Sequence, residues 1–126
     1  MSEHTEQVAV VAWFRMQHPK QSKLLFSHID GAIIGGKNKF GAISNLKKEG
    51  WTKGIPDLML AYPVPPYSGL WIEMKDKNKS EKDLRPEQKE YLELFNSVGY
   101  AAYCCCGFDH AKHVIQMYLN GDLPHV

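Results

Sequence analysis

Asp57, Glu73 and Lys75 form a pair of carboxylates and a lysine within 19 residues of the chain, a combination suited to catalysis. Two carboxylates supply the hard oxygen ligands that Mg²⁺ or Mn²⁺ accepts, and water and a substrate phosphate can fill the remaining octahedral positions. Such an ion activates a water molecule and offsets charge on the phosphate, while a lysine beside it orients or deprotonates that water or stabilises the transition state. The three residue types together predict metal-assisted hydrolysis of a phosphodiester bond.

Residues 58–62 and 69–75 are short runs rich in apolar, aromatic and branched side chains. Three prolines and a Ser-Gly pair stand between the two runs, where they interrupt any continuous strand or helix and favour a turn. The two runs therefore predict the antiparallel arms of a β-hairpin.

The predicted hairpin brings the charged residues to one place. With its loop centred near Pro66, Asp57 lies opposite Glu73 or Lys75, and directly opposed side chains in a sheet are about 4.5–5.5 Å apart. Because strand side chains alternate, Glu73 and Lys75 share one face and Met74 points into the core. A Glu-x-Lys strand or a Pro-Asp turn is common by itself, and their shared register is what favours a site here.

The motif Gly-Ile-Pro-Asp at residues 54–57, followed by Glu-Met-Lys at residues 73–75, resembles the signature of the PD-(D/E)xK nucleases. It is most similar to that of the virus-type replication-repair nuclease domain, VRR-NUC. The resemblance extends over nearly the whole chain, from an N-terminal helix with Glu3 and Gln7 to Arg-Pro-Glu-Gln at residues 85–88. It implies a metal-dependent endonuclease with a restriction-endonuclease-like fold.

The resemblance also implies site roles. The family's catalytic residues match Glu3, Asp57, Glu73, Lys75 and Gln88, and its ligands for Mg²⁺ or Mn²⁺ match Asp57, Glu73 and the carbonyl of Met74. Family members carry one of these catalytic residues, a glutamate, on a helix near the start of the chain. The sequence leaves two positions open for it, since Glu3 and Glu6 both precede the apolar part of the first helix. Spacing to Gln7 and Val10 favours Glu3.

The pattern of elements predicts an α/β fold, with a mixed central sheet that contains the catalytic hairpin and is flanked by helices. Apolar periodicity predicts helices over residues 5–18, 42–49, from 85 to the Gly99 cap, and from an Asp109 cap to residue 120. It predicts further strands over residues 24–29 and 100–106, with loops over residues 30–40 and 76–84. The last two helices should bury two sets of residues: Tyr91, Leu92, Leu94, Phe95 and Val98, and Ala111, Val114, Ile115, Tyr118 and Leu119.

Length and composition predict one domain over residues 1–126. The chain is 44% hydrophobic, which is ordinary for a globular protein able to bury a core without disulfides. It shows no membrane-spanning run and no signal peptide, so we expect a cytoplasmic protein of a bacterium or a phage-infected host. Side chains of the consecutive Cys104, Cys105 and Cys106 point to alternate faces of a strand, so we predict that they are core residues. They are not predicted to bind zinc together with His110 and His113.

The net charge is only +1, yet basic residues flank the predicted site on both sides. The candidate DNA-binding residues are Lys37, Lys39, Lys47, Lys53 and Lys77. Lysine runs are more often solvated surface, and it is their position beside the hairpin that favours a phosphate-binding role. His28 and Trp51 are further candidates for contact with DNA near the site, each weighed against a structural role.

These observations predict a metal-dependent endodeoxyribonuclease. The resemblance implies branched DNA as the substrate, such as Holliday junctions or flaps, and a homodimer of the standalone phage or bacterial type. The alternatives are a non-catalytic nucleic-acid-binding module and a structural or regulatory protein in which Glu73 and Lys75 form only an ion pair.

Overall fold

The computed structural model describes residues 2–28 and 39–124, with the backbone alone at residues 39 and 40. This part of the chain forms four α-helices: α1 (Glu3–Gln17), α2 (Lys39–Lys48), α3 (Pro86–Ser97) and α4 (Phe108–Asn120). It also forms four strands: β1 (Leu25–Ser27), β2 (Leu58–Leu60), β3 (Leu70–Lys75) and β4 (Ala101–Cys106). Short 3₁₀ helices span Pro19–Leu24 and Glu81–Asp83.

The strands form one mixed sheet in the order β1-β2-β3-β4. Strand β2 pairs antiparallel with both β1 and β3, and the short connection over residues 61–69 makes β2 and β3 a hairpin. Strand β4 pairs parallel to β3 after the chain crosses over through α3. The predicted α/β fold with a hairpin in a mixed sheet flanked by helices is confirmed. In the hairpin, Leu58 pairs with Ile72 and Leu60 with Leu70.

The main apolar core lies on one face of the sheet, under α1 and α4. The sheet contributes Leu70, Ile72, Met74 and Cys105, all nearly inaccessible to water. Phe14 of α1 and the face of α4 that includes Ile115 and Tyr118 cover them. Helix α3 covers the opposite face with Leu92, where it packs on Ala102 and Cys104.

Several predicted boundaries and faces differ from the structure. Helix α4 begins at Phe108 after Gly107, so Asp109 lies in its first turn and does not cap it. Leu94 of α3 and Val98, which caps this helix, are exposed, because α3 turns a narrower stripe toward the sheet than its apolar content suggests. Helix α1 begins at Glu3, since the Ser2 side chain accepts a hydrogen bond from the Thr5 N–H.

Other segments differ by smaller amounts. The first predicted strand shortens to Leu25–Ser27, and α2 starts at Lys39, before the expected residue 42. The remaining predicted loop before α2 lies outside the described residues. In the part of the chain that the structure covers, no helix is long and apolar enough to cross a membrane.

Candidate active site

A cavity of about 210 Å³ lies where the hairpin meets the first turns of α1 and α3. All five predicted catalytic residues line it: Glu3, Asp57, Glu73, Lys75 and Gln88. Its remaining wall includes His28, Trp51, Lys53, Gly54 and Arg85. Residues far apart in the chain therefore meet at the place that the hairpin motif indicated.

The hairpin register places Asp57 opposite Glu73. Leu58 pairs with Ile72, so the preceding residue on β2 faces the following residue on β3. The Asp57 carboxylate is held in place because its Oδ2 accepts a 2.7 Å hydrogen bond from the backbone N–H of Met74. Of the two partners left open by the sequence, Glu73 is the one directly across the hairpin.

The Met74 carbonyl points toward the same edge as Asp57. The next carbonyl along the strand, that of Lys75, accepts a hydrogen bond from the Gly107 N–H on the β4 side. Consecutive carbonyls in a strand point to opposite edges, so that of Met74 points to the β2 side. Strand β2 begins at Leu58, which leaves this carbonyl beside the Asp57 side chain.

Gln88 fixes the orientation of the Glu73 carboxylate. Its Nε2 donates a 2.8 Å hydrogen bond to Glu73 Oε1, while its own Oε1 accepts a 2.9 Å bond from the Arg85 N–H. Because a backbone N–H can only donate, the amide oxygen must face Arg85 and the amide nitrogen must face Glu73. Gln88 thus forms a hydrogen bond with one carboxylate oxygen of Glu73, and the other oxygen remains available to a ligand in the cavity.

Glu73 Oε2 is buried and forms no hydrogen bond with any other residue that the structure describes. Burial and the neighbouring Asp57 carboxylate raise the pKa of Glu73 to about 9, with a smaller contribution from Glu3, although Lys75 acts in the opposite direction. Because Glu73 is buried, its ionisation beside the Asp57 carboxylate is unfavourable unless positive charge is added. This is the electrostatic condition that a bound cation would relieve.

The donors present fit a hard divalent cation. Among residues 2–28 and 39–124, no three His, Cys, Asp or Glu side chains are grouped closely enough to hold an ion by themselves. Mg²⁺ commonly binds through one or two carboxylates and keeps water and substrate phosphate as its other ligands. Asp57, Glu73 and the Met74 carbonyl provide such a partial ligand set, with the unpartnered Glu73 Oε2 as its most available atom.

The two candidate glutamates of α1 have different surroundings. Glu3 lines the cavity. Glu6 is buried away from it, where Oε2 accepts a hydrogen bond from the Lys77 N–H at 3.2 Å and Oε1 accepts one from the Phe108 N–H at 3.3 Å. Glu3 therefore lies at the site, whereas the hydrogen bonds of Glu6 connect α1 to the segment after β3 and to the start of α4.

A glycine allows α3 to approach the cavity. Gly54 has a φ of +95°, and a Cβ added there would lie 2.9 Å from the Glu87 carbonyl oxygen. A larger residue would therefore push away the first turn of α3, which carries Gln88. The Gly-Ile-Pro-Asp segment thus positions both Asp57 and the helix opposite it.

The predicted DNA-binding lysines are dispersed. Lys53 lines the cavity and lies 3.5 Å from Glu87. Lys77 is exposed two residues after Lys75, and Lys47 is exposed in the last turn of α2. Lys39 begins α2, but its side chain is not described, and Lys37 lies outside the described residues.

His28 and Trp51, which the sequence indicated as candidates for contact with DNA, lie in the cavity wall. The rings of His28 and Trp51 stack with centroids 6.1 Å apart. The backbone N–H of His28 donates a 2.9 Å hydrogen bond to the backbone carbonyl of Asp57. Arg85 also lines the cavity, next to Gln88 in sequence order. For Arg85, the available signal was its place immediately before the helix that carries Gln88.

The three cysteines belong to the packed sheet, as predicted. Cys104 pairs with Glu73 and Cys106 with Lys75, on the face that α3 covers, while Cys105 points into the main core. Burial raises the pKa of the Cys104 thiol to about 12, so this residue remains a neutral thiol at physiological pH.

Comparisons with known proteins agree with this geometry. A model of the VRR-NUC domain family matches residues 1–109. A solved structure described as a VRR_NUC domain protein aligns with a TM-score of 0.78 and 27% identity, over 95% of this chain and 89% of that chain. No curated protein matches the chain. Because the family model covers well over half of the sequence, the chain belongs to the VRR-NUC family, which is a nuclease family.

Proposed function

We propose that this protein is a metal-dependent endodeoxyribonuclease whose active site is the cavity between the hairpin, α1 and α3. The observation that carries the proposal is the Glu73 carboxylate, buried beside Asp57 with Oε2 lacking a partner. Ionisation of Glu73 is unfavourable in this arrangement unless a cation binds, and a carboxyl whose pKa is perturbed in this way is typical of functional sites.

Asp57, Glu73 and the Met74 carbonyl would hold the cation. When bound, Mg²⁺ or Mn²⁺ supplies positive charge for the phosphate and makes a coordinated water more acidic. Gln88 keeps Glu73 in the ligating orientation through its 2.8 Å hydrogen bond. This support resembles the outer hydrogen bonds that orient carboxylate ligands in other metal sites.

Lys75 acts on the phosphate and on the attacking water. It lies two residues after Glu73 on the same face of β3, so its ammonium shares the cavity with the carboxylates. From there it orients the water, accepts a proton or stabilises charge on the transition state. Glu3, at the start of α1, would assist in binding the cation, either through a water molecule or directly.

Basic residues at the rim hold the DNA backbone. Lys53 and Arg85 line the cavity, and Lys77 and Lys47 are exposed on the segments near it. The sequence adds Lys37 and Lys39 to the proposed set, although Lys37 and the side chain of Lys39 lie outside the described part of the chain. The net charge of +1 means that local charge, not the overall charge of the protein, must attract phosphate.

Cleavage assays with labelled substrates test this function. Single-stranded, duplex, flap, three-way and four-way junction DNA are incubated with Mg²⁺, Mn²⁺ or a chelator, and we expect divalent-dependent cleavage with the highest rates on branched substrates. Asp57→Asn and Glu73→Gln should abolish cleavage while DNA binding remains or strengthens, because each variant removes a ligand and a repulsive charge. Glu90→Gln, an exposed change on α3, serves as the control.

The outcomes separate the alternatives. Tight DNA binding without cleavage of any substrate would favour a non-catalytic binding module. Near-wild-type cleavage by folded Asp57→Asn or Glu73→Gln would show that the site assignment is wrong. A structural protein with a simple Glu73–Lys75 ion pair would bind neither Mn²⁺ nor DNA.

We further propose that the protein acts as a homodimer that cuts two strands of branched DNA symmetrically. The apolar face of α4 packs into the core, so these side chains are not available for a dimer interface. The exposed Leu94 and Val98 of α3 are better candidates. Light scattering tests the dimer: a mass near 14.4 kDa at micromolar concentration, with undiminished activity, would contradict paired cutting.

A further inference from the structure

A second groove adjoins the catalytic cavity. It has a volume of about 630 Å³ and lies between α1 and β1, the edge strand of the sheet. Glu3, His28 and Asp57 line both the groove and the cavity, so the two spaces are contiguous. A ligand held at the catalytic residues can therefore extend into this groove.

Both walls of the groove carry exposed apolar side chains. Val8 on α1 is 54% exposed and Phe26 on β1 is 50% exposed. Buried positions flank each of them, since Val10 and Leu25 enter the core. Large apolar side chains that remain accessible beside a concave site are typical of ligand contact.

Polar and charged residues follow a defined order along the groove. On α1 the lining residues recur every three or four positions, from Glu3 and His4 at the cavity to Arg15. This wall is about 18 Å long at 1.5 Å per helical residue. Arg15 is exposed at the far end, and no carboxylate of the described residues forms an ion pair with it.

We propose that this groove binds a single strand of DNA, so that an unpaired base next to the scissile phosphate packs against Val8 and Phe26 while a following phosphate reaches Arg15. The proposal rests on the nuclease function proposed above. A base presents an apolar π-face to Phe26 and polar edges to side chains such as Gln7 and Ser27, which also line the groove.

A single strand fits the groove better than the other occupants do. The volume is in the range of about 300–1,000 Å³ that takes a small ligand, the scale of one or two nucleotides and not of a duplex. In a duplex, stacked neighbours also cover the π-faces that Phe26 would contact. A peptide would match the apolar walls, but it would not explain continuity with a cavity whose groups suit phosphate.

Equilibrium binding tests the proposal without requiring cleavage. In the Glu73→Gln background with a chelator, fluorescence anisotropy measures affinity for a blunt duplex and for the same duplex with a 5′ or 3′ single-stranded extension. Phe26→Ala should weaken binding of one of the extended substrates by about tenfold more than binding of the blunt duplex, as expected for loss of one base–aromatic stack. Met16→Ala is the matched control, because Met16 is an exposed apolar residue of α1 that does not line the groove.

A salt titration tests the phosphate contact. On the extended substrate, Arg15→Ala should reduce the slope of log K against log[salt] by about 0.7, the value for one phosphate of a single strand. Lys20→Ala, which removes an exposed cation outside the groove, should leave the slope unchanged.

Two results would overturn the proposal. One is an equal effect of Phe26→Ala and Met16→Ala on every substrate, with no change in slope for Arg15→Ala. The other is conversion of an oligomer to a monomer by Phe26→Ala, which would make the groove an interface between copies of the chain. If the wild-type protein cleaves DNA in either case, the proposed nuclease function stands and the single-strand groove alone is rejected.

Discussion

Met74 and its neighbour Glu73 are almost equally buried, at 0% and 2% exposed, but they point to opposite faces of β3. The side chain of Met74 belongs to the buried apolar cluster that includes Phe14, Ile72 and Ile115. Glu73 meets Asp57, Gln88 and the nearby Lys75, and one of its carboxylate oxygens has no partner.

The two faces of β3 therefore have different roles. Alternation assigns each residue to a face, and burial alone does not distinguish the faces. On the Met74 face burial stabilises the fold through removal of apolar surface from water. On the Glu73 face burial opposes ionisation and so lowers stability, which is acceptable where a cation and a phosphate later bind.

The largest effect is expected for Lys75, because the charged face should matter for the reaction far more than for folding. Lys75→Ala should reduce the single-turnover rate of cleavage by orders of magnitude and change DNA affinity little, since a lone phosphate contact affects mainly binding. Lys75→Arg should also be slow, because a permanently charged guanidinium cannot accept a proton. The exposed Lys79→Ala is the control. If both variants at position 75 cleave at the wild-type rate with saturating DNA, Lys75 belongs to the binding surface alone.

The next largest effect concerns stability as a function of pH. With its pKa raised to about 9, folded Glu73 keeps a proton that the unfolded chain releases near its ordinary value. The metal-free protein should therefore lose stability as pH rises through this window, by at most about 4 kcal/mol between pH 5 and pH 8. Glu73→Gln does not titrate, so its stability relative to wild type should increase over the same range.

Urea denaturation of the two proteins in a chelator measures this difference, with Glu90→Gln as the control. Addition of Mg²⁺ should reduce the advantage of Glu73→Gln, because the cation favours the ionised carboxylate. Parallel pH profiles for wild type and Glu73→Gln would contradict the contrast between the two faces.

The smallest effect is expected on the apolar face. Met74→Ala should lower the free energy of unfolding by about 3 kcal/mol, the usual cost when a buried side chain of this size is truncated, at any pH between 5 and 8. Met16→Ala, which is largely exposed, should change it by less than about 0.5 kcal/mol. The stability lost in Met74→Ala could depend on pH or Mg²⁺ as strongly as the stability difference between Glu73→Gln and wild type does. That result would show that the two faces are coupled.

The sequence by itself determined the hairpin and its charged face. The Gly-Ile-Pro-Asp and Glu-Met-Lys motifs, the proline-rich turn and the two-residue period of a strand are local, so they could place Asp57, Glu73 and Lys75 together without knowledge of the rest of the chain. The same local signals also predicted that Met74 enters the core, which the structure confirms.

Local signals were weaker where packing decides which side of a helix is covered. The apolar residues of α3 predicted a wide buried stripe, but the sheet covers Leu92 and leaves Leu94 and Val98 exposed. A periodic pattern states that a face is apolar, whereas the extent of its burial depends on the shape of the neighbouring element.

Only the tertiary structure decided between Glu3 and Glu6 as the residue beside the cavity. Glu6 bonds to the Phe108 N–H, 102 positions away in the sequence, and such a contact leaves no mark in the local pattern. The same holds for the hydrogen bond that Gln88 makes to Glu73 and for the raised pKa of that carboxyl. These properties arise from distance, burial and hydrogen bonding between separate elements, which the fold creates when it brings α1, the hairpin and α3 together.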